Sequence, residues 1–532
     1  MEKTYYSDIG RPPVTAKNGM VATSHPLATD AALEVLKSGG NALDAAICAA
    51  SVQNVVEPQS TGIGGDCFAI FAPNGGTDYA AYNGSGRTPK AATAKYFADH
   101  GITEISQNSP HAVTVPGAVD AWCRLSKDYG SMPLKEVLAP AIKFARNGYK
   151  IYPRVAADFE SAKETLNSCE NAKRIFMPGG SILSAGDIHK LPELADTLEV
   201  IGNEGRNGFY QGTVADDIVS YLKERGGLHT LDDFKEAKGD YVSPVSVKYQ
   251  GFDVYECPPN GQGVIALILL KIMNQLGVNK FDLLSSERLH YEAEAGKIAY
   301  HIRDLYLSDP DYGRSELEDV LSEKNIDKLI DTIKSNCVLS MPDYQMPNHR
   351  DTVYISVVDK ERNCCSFINS IFHSFGSGLM TPKTGVLLHS RGKGFNFIKD
   401  HPNQMDGSKR PLHTIIPAML AKNNKTIMSF GVMGGQYQAF GHMQFLSRLL
   451  EYNHDIQKAM DLPRTFPDPV SGKLDIEVGI DKKCQKLLLE LGHEINQVSK
   501  PIGGSQAIWI DQENGSLIAG SDPRKDGYAA GY

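Results

Sequence analysis

A polar segment with two prolines, PDYQMPNHRD, runs directly into an alternating one, TVYISVVD, at residue 352. Prolines among polar side chains suit a solvent-exposed linker, and a period of two predicts a strand. The chain therefore divides chemically at 351/352, and this division does not produce two independent domains.

Upstream, residues 27–56 carry alanine and leucine at helical spacing, broken by Gly39 and Gly40, which predicts helix, turn, helix with Asn41 capping the second helix. The loop EPQSTGIGGD follows, and then CFAIFAP as a short strand. From about 116 to 230 the pattern is mainly helical. Strands return at VSVKYQGFDVYECP, and helices at GVIALILLKIMNQLG and around Glu292. Residues 315–336 are charged and predict a surface helical segment. Glycine-rich turns between short apolar elements favour a layered mixture of helices and strands over an all-helical bundle.

The 532 residues hold 54 basic and 63 acidic side chains, a net charge of −9 without long blocks of either sign, which argues against broad nucleic-acid binding. No apolar run near the N-terminus has the length of a signal peptide or membrane anchor, so the expectation is a cytoplasmic protein without a membrane partner. Nine cysteines, an odd number, predict free thiols. Cys364 and Cys365 are adjacent in a predicted strand, so their side chains should face opposite ways as buried small residues.

Few residues announce chemistry. Thr352 in an intact chain is a poor nucleophile, and Asp-Thr before a strand also fits an ordinary edge-strand threonine. Cleavage between Asp351 and Thr352 would change this, because a freed α-amine with a pKa of about 8 can take the hydroxyl proton. Gly434 and Gly435 in FGVMGGQ end a predicted strand, where two backbone N–H groups could approach an oxyanion, although a plain turn has the same signature. Gly62, Gly64 and Gly65 precede a strand, the reverse of a dinucleotide fingerprint. Arg87, Arg391 and Arg410 are candidates for gripping a carboxylate. His349, His373, His389, His401 and His413 fall in one region without HExxH or another metal spacing, so neither a catalytic metal nor a cofactor is expected.

The ordered segments GMVATSHPLATDAALEVLKSGGNALDAAICAA, VEPQSTGIGGD, TVPGAVDAW, DTVYISVVD, FGSGL, GSKRPLHTIIPAM, FGVMGG, GGSQAI and GSDPRKDGYAAGY give the chain a resemblance to the γ-glutamyltransferase (glutathione hydrolase) family along nearly its whole length. The resemblance implies an α+β fold, a four-layer αββα N-terminal-nucleophile hydrolase sandwich with an additional helical region in the large chain. It implies a precursor cut into a large chain, 1–351, and a small chain, 352–532, which stay together as one catalytic unit and could pair further into a homodimer or heterotetramer. Thr352 would be the nucleophile, Ser370 would stand where relatives carry a second threonine, and Gly434 and Gly435 would form the oxyanion site.

The glutamate pocket departs from the family pattern. The arginine that grips the α-carboxylate in typical members falls on Ser85, with Arg87 two places on; the asparagine after the second threonine becomes Phe372. The groups that receive the α-amine become Arg391 and Gly394, and the paired serines after KRPL become His413 and Thr414. Losing acceptors leaves an ammonium unpaired, and an arginine repels it. Arg87, Phe372, Arg391, His413 and Thr414 are thus expected to bind a small-molecule amide whose acyl group bears a carboxylate and lacks the α-amine. A γ-glutamyltransferase or glutathione hydrolase proper, an oxamate amidohydrolase, a glutaryl or cephalosporin-type acylase, and an uncleaved non-catalytic relative are the alternatives. The segment from Phe395 to Lys409 is shorter than the lid of many transpeptidases, which favours water over an amine acceptor.

Overall fold

The computed structural model describes residues 10–313, 317–339 and 352–532. Val353–Val358 pairs antiparallel with Cys364–Ser370 on one side and with Met20–Thr23 on the other. The threonine segment therefore lies in the middle of a sheet, and the edge-strand alternative is excluded. The full order of this seven-stranded sheet is Tyr528–Gly531, Met20–Thr23, Val353–Val358, Cys364–Ser370, Asp66–Ala72, Ala80–Gly84 and Asp240–Val242. Strands from both sides of residue 352 are interleaved in it, with Met20–Thr23 between Tyr528–Gly531 and Val353–Val358, so neither portion could bury its strands alone.

A second seven-stranded sheet runs Val14–Ala16, Leu517–Ser521, Gly504–Ile510, Lys425–Met433, Ala418–Lys422, Phe252–Glu256 and Val245–Tyr249. The two sheets pack face to face through Phe68, Ile70, Tyr354 and Ile368 from the first and Met419, Met433 and Ile508 from the second. Alternation decides which side chains do this. Tyr354 and Val358 point between the sheets, while Ile355 and Val357 point outward onto helices. Cys364 and Cys365 divide in the same way, one to each face, and all nine cysteines are free.

Helices cover both outer faces, completing four layers. On the first sheet lie Pro26–Lys37 and Ala42–Val56, and the latter is buried along its whole length. Its alanines allow close approach, and Asn41 caps it by accepting from the Leu43 and Asp44 amides while Asp44 bonds back to the Asn41 amide. On the second sheet lie Gly263–Leu276 and Tyr437–Leu450, backed by Ser286–Tyr306. The additional helical region extends the first side with Ala118–Tyr129, Leu134–Asn147, Pro192–Glu204 and Gly212–Lys223. Leu317–Val320 and Glu323–Ile330 form the charged segment, anchored by buried Ile326. Among the described residues no helix is long and apolar enough to cross a membrane.

Candidate active site

Hairpin register brings the first two groups together. Because Val353 pairs with Asn369, Thr352 and Ser370 face each other at the next position, and their hydroxyl oxygens are 3.3 Å apart. Both are buried. Ser370 in turn pairs with Asp66 on the neighbouring strand, which places a carboxylate one strand further into the sheet. The glycines of TGIGGD permit this approach: a Cβ on Gly65 would collide with the Ser370 carbonyl, and one on Gly64 with the Leu387 carbonyl.

Arg391 links these elements. Its two terminal nitrogens donate to Ser370 Oγ at 3.3 Å and Thr414 Oγ1 at 3.2 Å, while its Nε stands 3.7 Å from Asp66 Oδ2. The guanidinium lies over the Phe372 ring at 4.4 Å. Phe372 itself adopts φ of +79°, an uncommon conformation for a bulky side chain, and its amide donates to Ser370 Oγ. That outlier turns the chain back immediately after the strand and lays the ring beneath Arg391. Backbone strain of this kind costs on the order of 1–3 kcal/mol and persists where surrounding contacts over-determine it.

Asp66 organises the opposite side. Its Oδ1 accepts from the Gly86 and Gly117 amides, and its Oδ2 accepts from His413 Nε2 at 3.0 Å, with His389 Nδ1 at 3.5 Å. Burial alone would push this carboxyl up; the nearby His389 and the hydrogen bond from His413 outweigh it and hold Asp66 well below the usual carboxylate range. Burial, reinforced by the Arg391 charge, pushes His413 down to about 3, so at neutral pH it is an uncharged donor. The Ile415 amide points at its Nδ1, which fixes that nitrogen as the acceptor. Burial also lowers Arg391, to about 9, against the opposing pull of Asp66, and leaves it cationic at neutral pH.

Gly434 and Gly435 approach from the second sheet. The Ser356 hydroxyl bonds Ser429, and the Tyr354 ring lies against Gly431; moving back along one strand toward Thr352 moves forward along the other toward Gly434. Both glycines have positive φ, +118° and +58°, and a Cβ on Gly434 would stand 2.8 Å from Gly503 Cα. Gln262 fixes this turn by donating to the carbonyls of Gly435 at 3.0 Å and Thr414 at 2.9 Å, and Arg303 holds the Gln262 side-chain oxygen at 3.0 Å.

Arg87 is already engaged: its terminal nitrogens bind Asp309 and Asp311, each at 2.8 Å, and also the Ser408 carbonyl. Arg410 is likewise engaged, with Asp240 and the Ser85 carbonyl. Of the substrate-binding candidates, Phe372, Arg391, His413 and Thr414 come together around Ser370, and Arg87 does not join them. Asp351 and His349 lie outside the described residues. Sequence reading missed Asp66, Gln262 and Arg303. Asp66 had a legible signal, an acidic residue directly after a close-approach glycine pair; Gln262 and Arg303 had none, because their partners are distant in sequence. The segment from Phe395 onward is tied down by Asn403, which donates to the Gly394 carbonyl and accepts from the Leu412 amide.

A buried threonine, a neighbouring serine hydroxyl, a buried cation and a glycine turn stand at one end of two stacked sheets. The gamma-glutamyltranspeptidase family model matches residues 28–532. The chain is similar to the glutathione hydrolase-like YwrD proenzyme of Bacillus subtilis, at 35% identity over 96% of this chain and 98% of that one. It is also similar to the oxamate amidohydrolase proenzyme of Klebsiella pneumoniae, at 30% identity over 97% and 98%. Among solved structures, a cephalosporin acylase from Bacillus halodurans superimposes with a TM-score of 0.91 at 34% identity, covering 100% of this chain and 99% of the other. The chain belongs to the gamma-glutamyltranspeptidase family, whose members are N-terminal-nucleophile amide hydrolases.

Proposed function

We propose that this enzyme cuts itself between Asp351 and Thr352 and then hydrolyses amides whose acyl group carries a free carboxylate and no α-amine. In the first reaction the Thr352 hydroxyl attacks the Asp351 carbonyl, the peptide bond becomes an ester as the threonine amine is released, and water opens the ester. In the second, Thr352 Oγ attacks the substrate amide, its own α-amine takes the hydroxyl proton and delivers it to the leaving amine, and water releases the acyl group. Gly434 and Gly435 would supply oxyanion donors, each worth about 3 kcal/mol of transition-state stabilisation. The names of the similar proteins, proenzymes of a glutathione hydrolase-like type and of an oxamate amidohydrolase, support this reading.

The observation that carries the substrate class is Arg391. A fully buried guanidinium whose two hydrogen bonds run to neutral hydroxyls, at 3.2 and 3.3 Å, with its nearest carboxylate at 3.7 Å, is under-compensated. A substrate carboxylate beside Ser370 and Thr414 would complete it, and an ammonium there would be repelled. Steady-state rates on glutaryl-p-nitroanilide and γ-glutamyl-p-nitroanilide test the reading. The des-amino substrate is expected to have the higher kcat/KM, and equal rates or a preference for the γ-glutamyl compound would overturn it. Denaturing mass analysis of the same preparation tests self-cleavage separately.

A further inference from the structure

Far from Ser370 and Arg391 in the chain, two histidines and a glutamate converge in a way the acyl-transfer chemistry does not use. His290 and Glu294 lie one turn apart on Ser286–Tyr306, and His493 reaches them from the turn after Lys482–Glu490. His290 Nδ1 and His493 Nε2 are 2.8 Å apart, and these nitrogens and a Glu294 carboxylate oxygen all fall within 4.8 Å of one another. All three residues are buried, and HxxxE on a helix presents both side chains on one face.

We propose that His290, Glu294 and His493 form a binding site for one divalent transition-metal ion of the zinc class. Nitrogen and carboxylate ligands in this ratio suit such an ion, and three protein ligands leave a fourth position for water. The orientation of His290 supports the assignment. Its other nitrogen, Nε2, meets the Lys334 carbonyl at 2.7 Å, and a carbonyl can only accept. Nε2 therefore carries the proton, and Nδ1 presents a lone pair to the cluster, the outer-partner arrangement that fixes the tautomer of a metal-bound histidine. A tetrahedral ion with bonds of about 2.0 Å separates its nitrogen ligands by about 3.3 Å, so binding needs the rings to part by about 0.5 Å.

Two further features bear on binding. His493 also borders a cleft of about 560 Å³, shared with Lys297, Val338 and Leu339, which gives an ion a route to the ligands. Without the ion, His493 Nε2–H donates to His290 Nδ1. Binding moves that proton to Nδ1 of the same ring, and it competes with Lys297 for Glu294, whose carboxylate Lys297 holds at 2.8 Å.

The ligands come from both sides of residue 352. Glu294 also accepts from the Leu339 amide, and His290 holds Lys334, so an ion here would clamp the last described stretch before the 340–351 segment to the later part of the chain. This inference is independent of the proposed substrate and of self-cleavage.

Titrating metal-stripped full-length protein with Co²⁺, and reading visible d–d absorption, tests it. One equivalent per chain with a tetrahedral-type spectrum is expected, displaced by Zn²⁺ and accompanied by a rise in melting temperature. His493→Gln keeps a donor for His290 Nδ1 and removes a ligand; it should weaken binding more than about 100-fold, beyond the usual effect of an outer partner. Glu294→Gln is the second variant, so a folding failure in one leaves the other decisive. Absence of the band, or its persistence in both variants, overturns the proposal.

Discussion

Asp66 and Ser370 are directly paired across adjacent antiparallel strands, so the carboxylate beside Arg391 and a hydroxyl that Arg391 contacts share one register position. The partners of Asp66 are the Gly86 and Gly117 amides, His413, His389 and Arg391. Its place is that of a positioning residue: it takes two backbone amides, orients His413 and faces the inner edge of the guanidinium.

Asp66→Asn keeps the shape and removes the charge. Breaking a buried ionic group away from its partners typically costs about 3–5 kcal/mol. Chemical denaturation should show a loss near the lower end of that range, since the amide still accepts from Gly86 or Gly117. KM for a carboxylate-bearing amide should rise about tenfold or more with a smaller change in kcat, and a pure stability effect with unchanged KM would remove Asp66 from substrate positioning.

Arg391→Lys retains a charge and loses the planar fork that reaches Ser370 and Thr414 together. The expected result is a rise in KM of about 10- to 100-fold for the glutaryl substrate. An unchanged KM in Arg391→Lys would count against the guanidinium as the carboxylate-binding group.

Thr352→Ala should give one uncut chain and no turnover. Gly434→Ala should fold less stably and lose about 100-fold or more in kcat, because φ of +118° and the contact with Gly503 leave no room for a methyl group. Intact mass under denaturing conditions and burst kinetics separate the two effects.

Arg87→Ala serves as the contrasting variant. Its loss uncouples Asp309 and Asp311, and it should lower stability on the order of 1–3 kcal/mol while leaving KM within about twofold. A large KM change would restore Arg87 to the substrate site.

The buried histidines should draw stability down in mild acid, against the opposite pull of Glu57 and Asp304, which burial raises to about 7 and about 6. Burial holds His25, His413 and His442 at about 3 and His189 and His229 at about 4, all below the ordinary 6.5. As pH drops below 6.5 the unfolded chain binds protons that the folded chain refuses, so stability present above 6.5 is lost toward pH 3–4. Each fully buried histidine contributes about 1.4 kcal/mol of this loss by pH 5.5. Melting temperature measured from pH 7.5 to 5 checks the sign, and His413→Gln should make the slope shallower.

The sequence by itself determined the elements and their joints. Asn41 as a helix cap, the strand after residue 352, the opposed faces of Cys364 and Cys365 and the glycine turn at 434–435 follow from local rules: side-chain period, capping chemistry and the backbone freedom of glycine. Those rules act over a few residues. What only the tertiary structure decided is pairing at long range. Val353–Val358 became a central strand because Met20–Thr23, more than three hundred residues away, covers one edge. Arg87 and Arg391 look alike as sequence, and their fates diverge because one meets Asp309 and Asp311 while the other is buried against Ser370, Thr414 and Phe372. Asp66, Gln262 and the His290–Glu294–His493 cluster likewise gained meaning only when sheets and helices closed, since burial and charge compensation depend on neighbours that the chain brings together through folding.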